Sequence, residues 1–482
     1  MPHHPTGTTA FVLAGGGTKG SFEVGVLQYL IGVEGITPDI VTATSAGAIA
    51  ATVLAQARTR DEFARRVQEI EDDVLAMTRM EQVFGKQAWL GALDGTRLGG
   101  AIQHEITEGT RPPFPLGGVP ARPGDEPVPH SARAERRHAR KTSRRRRRRV
   151  LRLLTGAGFR LPRVRRQLRT SGSAVLNLDP LREALRQGGA EGIRAVDPAL
   201  IARPGLQLRL AVTALRAGVL RYVTEDGSLV ESDARTPAPP EARGPVDLVD
   251  GAIASASVPM VFPPHPLAGD DYVDGGVVEI VPVRAATLLG ATRIIAVVAL
   301  PLTVPRDARD YAGLSAASIG LRALGMIGVA DRQRSNLDTQ LADGTTLTTI
   351  DPVVDVVGLF EVQPGLLRIN QDYGWLRAAD LLAEGDPALR TSIEAGTHAL
   401  VRARRDAWLL EESLWTKDRA DGSEPGDLAL LREHKERVRD LVVQRKQLGF
   451  ALPGAGETWW TEYEVHSASR PDWLPVRPDA DA

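Results

Sequence analysis

Residues 9–57 set two apolar runs of strand length around a helix, and no other stretch limits the fold as severely. "TAFVLA" passes at once into the glycine loop "GGGTKG". "SFEVGVLQYLIG" follows, with Phe22, Val26, Tyr29 and Leu30 at helical spacing. "DIVTAT" is a second strand and "AGAIAATVLAQA" a second helix. Two short strands joined through a helix run parallel, and a parallel sheet needs helices over its faces. The expected class is therefore α/β. Strands alternating with helices continue to about residue 360, including the buried-strand run "TRIIAVVAL" and the helix-like "DLVDGAIASASVP".

Within this unit Ser45 stands where the second strand turns straight into a helix, among Ala43, Ala46 and Gly47. Small residues there suit a close-packed junction. They equally suit a nucleophile elbow, in which a sharp turn exposes a serine oxygen above the end of a sheet. The glycine loop also has two readings. Gly15, Gly17 and Gly20 satisfy the dinucleotide pattern G-x-G-x-x-G after a strand and before a helix. That pattern needs an acid at the end of the second strand, whereas Asp39 lies at its start. A dinucleotide-binding protein is thus the weaker alternative. A phosphate-binding P-loop fails because Lys19 is followed by Gly20 instead of Ser or Thr. In the second reading, backbone N–H groups of Gly16, Gly17 or Thr18 converge on the oxyanion of an ester under attack. One such donor is typically worth about 10²–10³ in rate.

A serine nucleophile needs a base. Of nine histidines, only His398, His434 and His466 lie well beyond the sheet region, all in helical or tail segments without a turn signal. Asp274, in "YVDGGVVEIVPV", ends a short strand and precedes Gly275 and Gly276. From those residues alone it is also readable as an ordinary Asp-Gly turn.

Four segments in order, "GGGTKG" at 15–20, "ATSAG" at 43–47, "ASASVPMVFPPH" at 254–265 and "DGGVVEIVPV" at 274–283, together resemble the patatin-like phospholipases. The resemblance implies a three-layer α/β fold with a mainly parallel central sheet and a Ser–Asp dyad without histidine. Ser45 would be the nucleophile and Asp274 its base. Gly15, Gly16, Gly17, Thr18, Lys19 and Gly20 would form the oxyanion loop, with Ala43, Gly47, Gly275 and Gly276 supporting the elbow and dyad. It implies hydrolysis of a lipid or other acyl ester through an acyl-enzyme, with no cofactor and no metal. Ala43 departs from the family's glycine at the first elbow position, and its methyl group predicts a slightly altered elbow. An aspartate serving as base predicts a pKa raised by desolvation.

The expected organisation is a hydrolase domain over 9–375, with a basic insertion at about 109–172, then a helical extension and irregular tail over 376–482. Between Arg133 and Arg169 the chain carries 17 Arg or Lys against one acid, Glu135. Removing these from the totals of 59 basic and 60 acidic residues leaves 42 and 59, an acidic body with one cationic stretch. That asymmetry suggests an anionic partner. Two readings of 133–169 stand: a solvated loop, or peripheral contact with anionic membrane, each basic residue near the surface contributing about 1 kcal/mol. A catalytically silent relative bound to membrane through this stretch is the alternative to an enzyme. Nucleic acid is not expected, since Phe159 is the stretch's only aromatic. The chain has no cysteine, which excludes disulfides and thiolate chemistry. With no signal-like start and no apolar run near 18 residues, a cytoplasmic location is expected.

Overall fold

The computed structural model describes residues 7–88, 174–189, 194–242, 244–304, 319–383, 386–418, 425–454 and 459. The basic insertion, its stretch 133–169 and the tail beyond 459 lie outside them. Strand β1 (Thr9–Leu13) leads through the glycine loop into α1 (Ser21–Leu27), and β2 (Ile40–Ala43) into α2 (Ala46–Leu54) and then α3 (Arg60–Ala76). A short antiparallel pair, β3 (Gly85–Lys86) and β4 (Leu176–Asn177), precedes α4 (Asp179–Gln187) and α5 (Pro198–Ile201). An antiparallel run follows: β5 (Gln207–Ala214), β6 (Val219–Thr224) and β7 (Leu229–Glu231). Next come α6 (Leu248–Ser255), β8 (His265–Leu267), β9 (Asp270–Asp274), α7 (Val283–Leu288), β10 (Arg293–Val297), α8 (Gly328–Leu337) and β11 (Thr346–Ile350). Three helices complete the described chain: α9 (Pro364–Leu382), α10 (Pro387–Asp418) and α11 (Pro425–Gln447).

The central sheet is mixed, in the order β11-β10-β1-β2-β5-β6-β7, with β9 also paired to β5 and β8 to β9. Its first five strands are parallel. Strands covered on both faces read as unbroken apolar runs, and β1 and β10 do. Phe11, Leu13, Ile295 and Val297 enter one core with Phe22, Leu27 and Leu54. Ala10, Val12, Ile294 and Ala296 enter a second core with Val283 and Ala286. Alternation along each strand thus produces three layers, with α1, α2 and α9 on one face and α7 and α8 on the other.

The layer over α1 comes from far along the chain. A Cβ on Gly25 would lie 1.8 Å from the Gln371 carbonyl oxygen, and one on Gly374 would lie 1.9 Å from that of Phe22. The α1 and α9 backbones therefore touch. Positions 375 and 376 lie within α9, which packs on α1 through Gln371 and Gly374. Helices α10 and α11 hold on to α9 through buried charge. Arg404 pairs with Asp372 at 2.5 Å, and Arg445 with Asp380 at 2.7 Å. Thr397 donates to Asp380 and accepts from Arg445, each at 2.7 Å.

Candidate active site

Strands β2 and β9 share one edge of β5. The first runs parallel to β5 and stops with Ala43 opposite Leu210; the second runs antiparallel and stops with Asp274 opposite Val212. Two residues on an extended strand span about 7 Å, so the two strand ends meet almost head to head. The turn after β2 and the last residue of β9 then share one gap. There the Ser45 side chain lies beside the Asp274 carboxyl, near enough to act on its protonation.

Ser45 has φ 56° and ψ −125°, a backbone conformation that costs a non-glycine residue about 1–3 kcal/mol and persists only where its surroundings enforce it. They do so from several sides. Its N–H donates to the Ser255 hydroxyl at 2.9 Å, and its carbonyl accepts from Ala48 N–H at 2.9 Å. Thr44 N–H donates to the Leu13 carbonyl at 3.0 Å, and the Thr44 hydroxyl to the Glu279 carbonyl at 3.0 Å. Gly47 allows α2 to press on β1, since a Cβ there would lie 2.5 Å from the Leu13 carbonyl oxygen. Ala43 is fully buried and pairs in regular register with Leu13 and Leu210. It is not among the residues with positive φ. Strain falls on Ser45, and the extra methyl of Ala43 is accommodated in the strand.

Asp274 is equally fixed. Its N–H donates to the Ser257 carbonyl at 3.0 Å, and its carbonyl accepts from the Thr213 hydroxyl at 3.1 Å. Its Oδ1 accepts from Gly276 N–H at 2.7 Å. Gly275 lets this turn lie on β5, where a Cβ would meet the Ala211 carbonyl oxygen at 2.4 Å. Burial pushes the carboxyl up to about 6, while Ser45, the Gly276 N–H and the charge of Arg332 act the other way. Ser255 and Ser257, which tie the elbow and Asp274 to one segment, are not singled out by local sequence pattern. Locally they show only as hydroxyl residues alternating with alanine at the end of α6.

The glycine loop supplies fewer donors than its six residues suggest. Gly15 N–H donates to the Ile280 carbonyl at 3.3 Å, Thr18 N–H to Leu359 at 3.0 Å and Lys19 N–H to Gly16 at 3.1 Å. The N–H groups of Gly16 and Gly17 have no hydrogen bond to a described residue. The expected set narrows to those two. Lys19 pairs with Asp355, and the Thr18 hydroxyl donates to the Gly358 carbonyl at 2.7 Å, so both side chains anchor the loop from behind. Gly20 packs toward Ala46. Asp39 lies at the opposite end of the strands, accepting from Thr9 N–H at 2.8 Å, far from where a dinucleotide's ribose would need it.

Ser45, Ala46, Gly17 and Thr18 open on a cavity of about 150 Å³ that is partly continuous with solvent. Its walls are mostly apolar, including Ile49, Val53, Met77 and Leu181. Phe84, Phe262 and Phe360 also line it and pack together with ring centroids 5.7 to 5.9 Å apart. Among the described residues no group of three or more His, Asp or Glu could hold a metal ion, and no helix is long and apolar enough to cross a membrane.

A three-layer α/β fold with a strained serine between two parallel strands and a helix narrows the class to proteins built around a strand–helix elbow. The chain belongs to the patatin-like phospholipase family, whose model matches residues 11–287. Members of that family are lipid acyl hydrolases. Among solved structures, VipD from Legionella pneumophila is similar at 15% identity and a TM-score of 0.28, over 98% of this chain and 89% of that one. The ExoU–SpcU complex from the type III secretion system of Pseudomonas aeruginosa is similar at 14% identity and a TM-score of 0.21, over 95% and 68%. No curated protein matches the sequence.

Proposed function

We propose that this protein hydrolyses the acyl ester of a lipid through Ser45 and Asp274. One observation carries the reading: the strained Ser45, beside the buried carboxyl of Asp274, lines an apolar cavity. Asp274 takes the Ser45 proton as Oγ attacks the ester carbonyl carbon. The resulting oxyanion is held by the N–H groups of Gly16 and Gly17. When the tetrahedral intermediate collapses, the alcohol leaves with the proton from Asp274 and the acyl group stays on Ser45. A water molecule then attacks that acyl-enzyme, with Asp274 again accepting the proton, and the fatty acid is released. A carboxyl near 6 suits both steps, being ionised at neutral pH yet more basic than an exposed aspartate. The apolar cavity receives the acyl chain. The α/β body through α9 carries this chemistry, and α10 and α11 brace it.

The test is labelling with a fluorophosphonate probe, followed by mass spectrometry of the adduct. An adduct on Ser45, lost in Ser45→Ala together with hydrolysis of acyl esters, is the expected result. An unlabelled Ser45 in folded protein, with anionic vesicles present, would leave the silent membrane-bound relative as the better account.

A further inference from the structure

The acyl cavity is not uniformly apolar. Glu23, on α1, lines it with 0% exposure. Neither of its carboxyl oxygens has a hydrogen bond among the described residues. The Ala14 N–H faces the carboxyl but is committed to the Val297 carbonyl at 3.0 Å. Glu23 stands close to the elbow: a Cβ on Gly20 would lie 3.9 Å from Glu23 Oε2 and 3.4 Å from the Ala46 Cβ. On the α3 wall of the same cavity, Asp73 is 8% exposed and its Oδ1 is likewise unpartnered. Buried carboxyl oxygens without partners are rare and costly, and a plain alkyl chain offers them nothing.

We propose that the cavity selects acyl chains bearing a hydroxyl close to the ester carbonyl, with Glu23 as the side chain that recognises it. This rests on the ester-hydrolase reading for its substrate class. Burial drives the Glu23 carboxyl well above its ordinary range and so favours its neutral form. A neutral carboxyl has one O–H donor and a carbonyl acceptor, and an alcohol has the same pair, so the two groups can exchange hydrogen bonds. Sites that hydrogen-bond a substrate hydroxyl discriminate against analogues without it, because their own polar groups are then left unpaired. Asp73 provides a second polar point for a chain oxygenated further along.

The deciding measurement is calorimetric binding of methyl 3-hydroxydecanoate and methyl decanoate to Ser45→Ala protein, in which the ester survives. The hydroxylated ester should bind roughly tenfold more tightly or better. Glu23→Leu in that background should abolish the difference. Glu23→Gln, which keeps a donor and an acceptor, should retain most of it and shows whether loss in the leucine variant reflects recognition or misfolding. Equal binding of the two esters, or a preference unchanged in Glu23→Leu, overturns the proposal. Turnover by the Ser45 protein reads the other claim separately. Discrimination by Ser45→Ala without turnover of either ester by the parent would refute the hydrolase reading and leave the recognition standing. Failure of both esters to bind would refute the cavity's role as an acyl site.

Discussion

A Cβ placed on Gly15 would lie 2.8 Å from the Cβ of Ser45, so the glycine loop and the serine elbow meet with no space between them. Ser45 cannot retreat easily, because its N–H is held by Ser255 and its carbonyl by Ala48. Gly15→Ala should therefore shift the serine by a fraction of an ångström while β1 keeps its pairing. A misplacement of about 1 Å can cost about 10² in rate, which bounds the effect of this smaller shift. The expected outcome is kcat/KM reduced measurably but by no more than that, with a melting temperature within a few degrees of the parent. A variant as active as the parent would mean that the loop yields instead.

On the proposed mechanism the ionised form of Asp274 is the base. Its carboxyl is raised to about 6 by burial, so kcat/KM should climb tenfold per pH unit below that value and level off above it. A pH profile with soluble short-chain esters checks this. Full activity at pH 4.5 would be incompatible with that base.

Stability should move in the opposite direction to activity. Asp274 and Asp73 are raised to about 6 and Glu279 to about 7, all chiefly by burial. A carboxyl with a higher pKa folded than unfolded binds its proton more tightly in the native state. Stability is then lost as pH rises from about 4 through the folded pKa, and stays lower above it. For Asp274 alone the shift corresponds to about 3 kcal/mol. Urea melts should show the protein more stable at pH 5 than at pH 8, and Asp274→Asn should narrow the gap while abolishing turnover. Equal midpoints at the two pH values would contradict this.

What was legible in the sequence was what local patterning controls. Apolar periodicity around residues 9–57 is enough for parallel pairing of β1 and β2, and small residues at 43–47 mark the turn that Ser45 occupies. The choice of Asp274 came from resemblance. Nothing local shows that β9 runs antiparallel along β5 and ends opposite Val212. The glycine loop looked more generous than it is because the acceptors that engage its N–H groups, Ile280 and Leu359, are distant in sequence. Glu23 escaped notice for a similar reason. Within "SFEVGVLQ" it reads as the polar face of a helix, whereas in the fold α9 and α3 pack against α1 and Glu23 is buried.

Lys19 and Asp355 form an ion pair behind the glycine loop, with side chains 7% and 13% exposed. Removing one partner strands a buried charge, which costs about 3–5 kcal/mol, whereas replacing both with apolar residues costs far less. Lys19→Met and Asp355→Leu should each destabilise strongly, and the double variant should recover much of the loss in a urea denaturation cycle. Additive losses would show that the two residues act independently.

The contact of Gly25 with Gln371 and of Gly374 with Phe22 carries a consequence for how the molecule is made. As the chain leaves the ribosome, the glycine loop, Ser45 and Asp274 all emerge before the helix that must cover α1. Until residue 382 has been synthesised, Phe22, Val26 and their neighbours have no partner on that side. A nascent chain would thus hold every reacting group of the proposed site and still lack the surface that sets their geometry. On the proposed mechanism, hydrolytic competence waits until α9 has been synthesised.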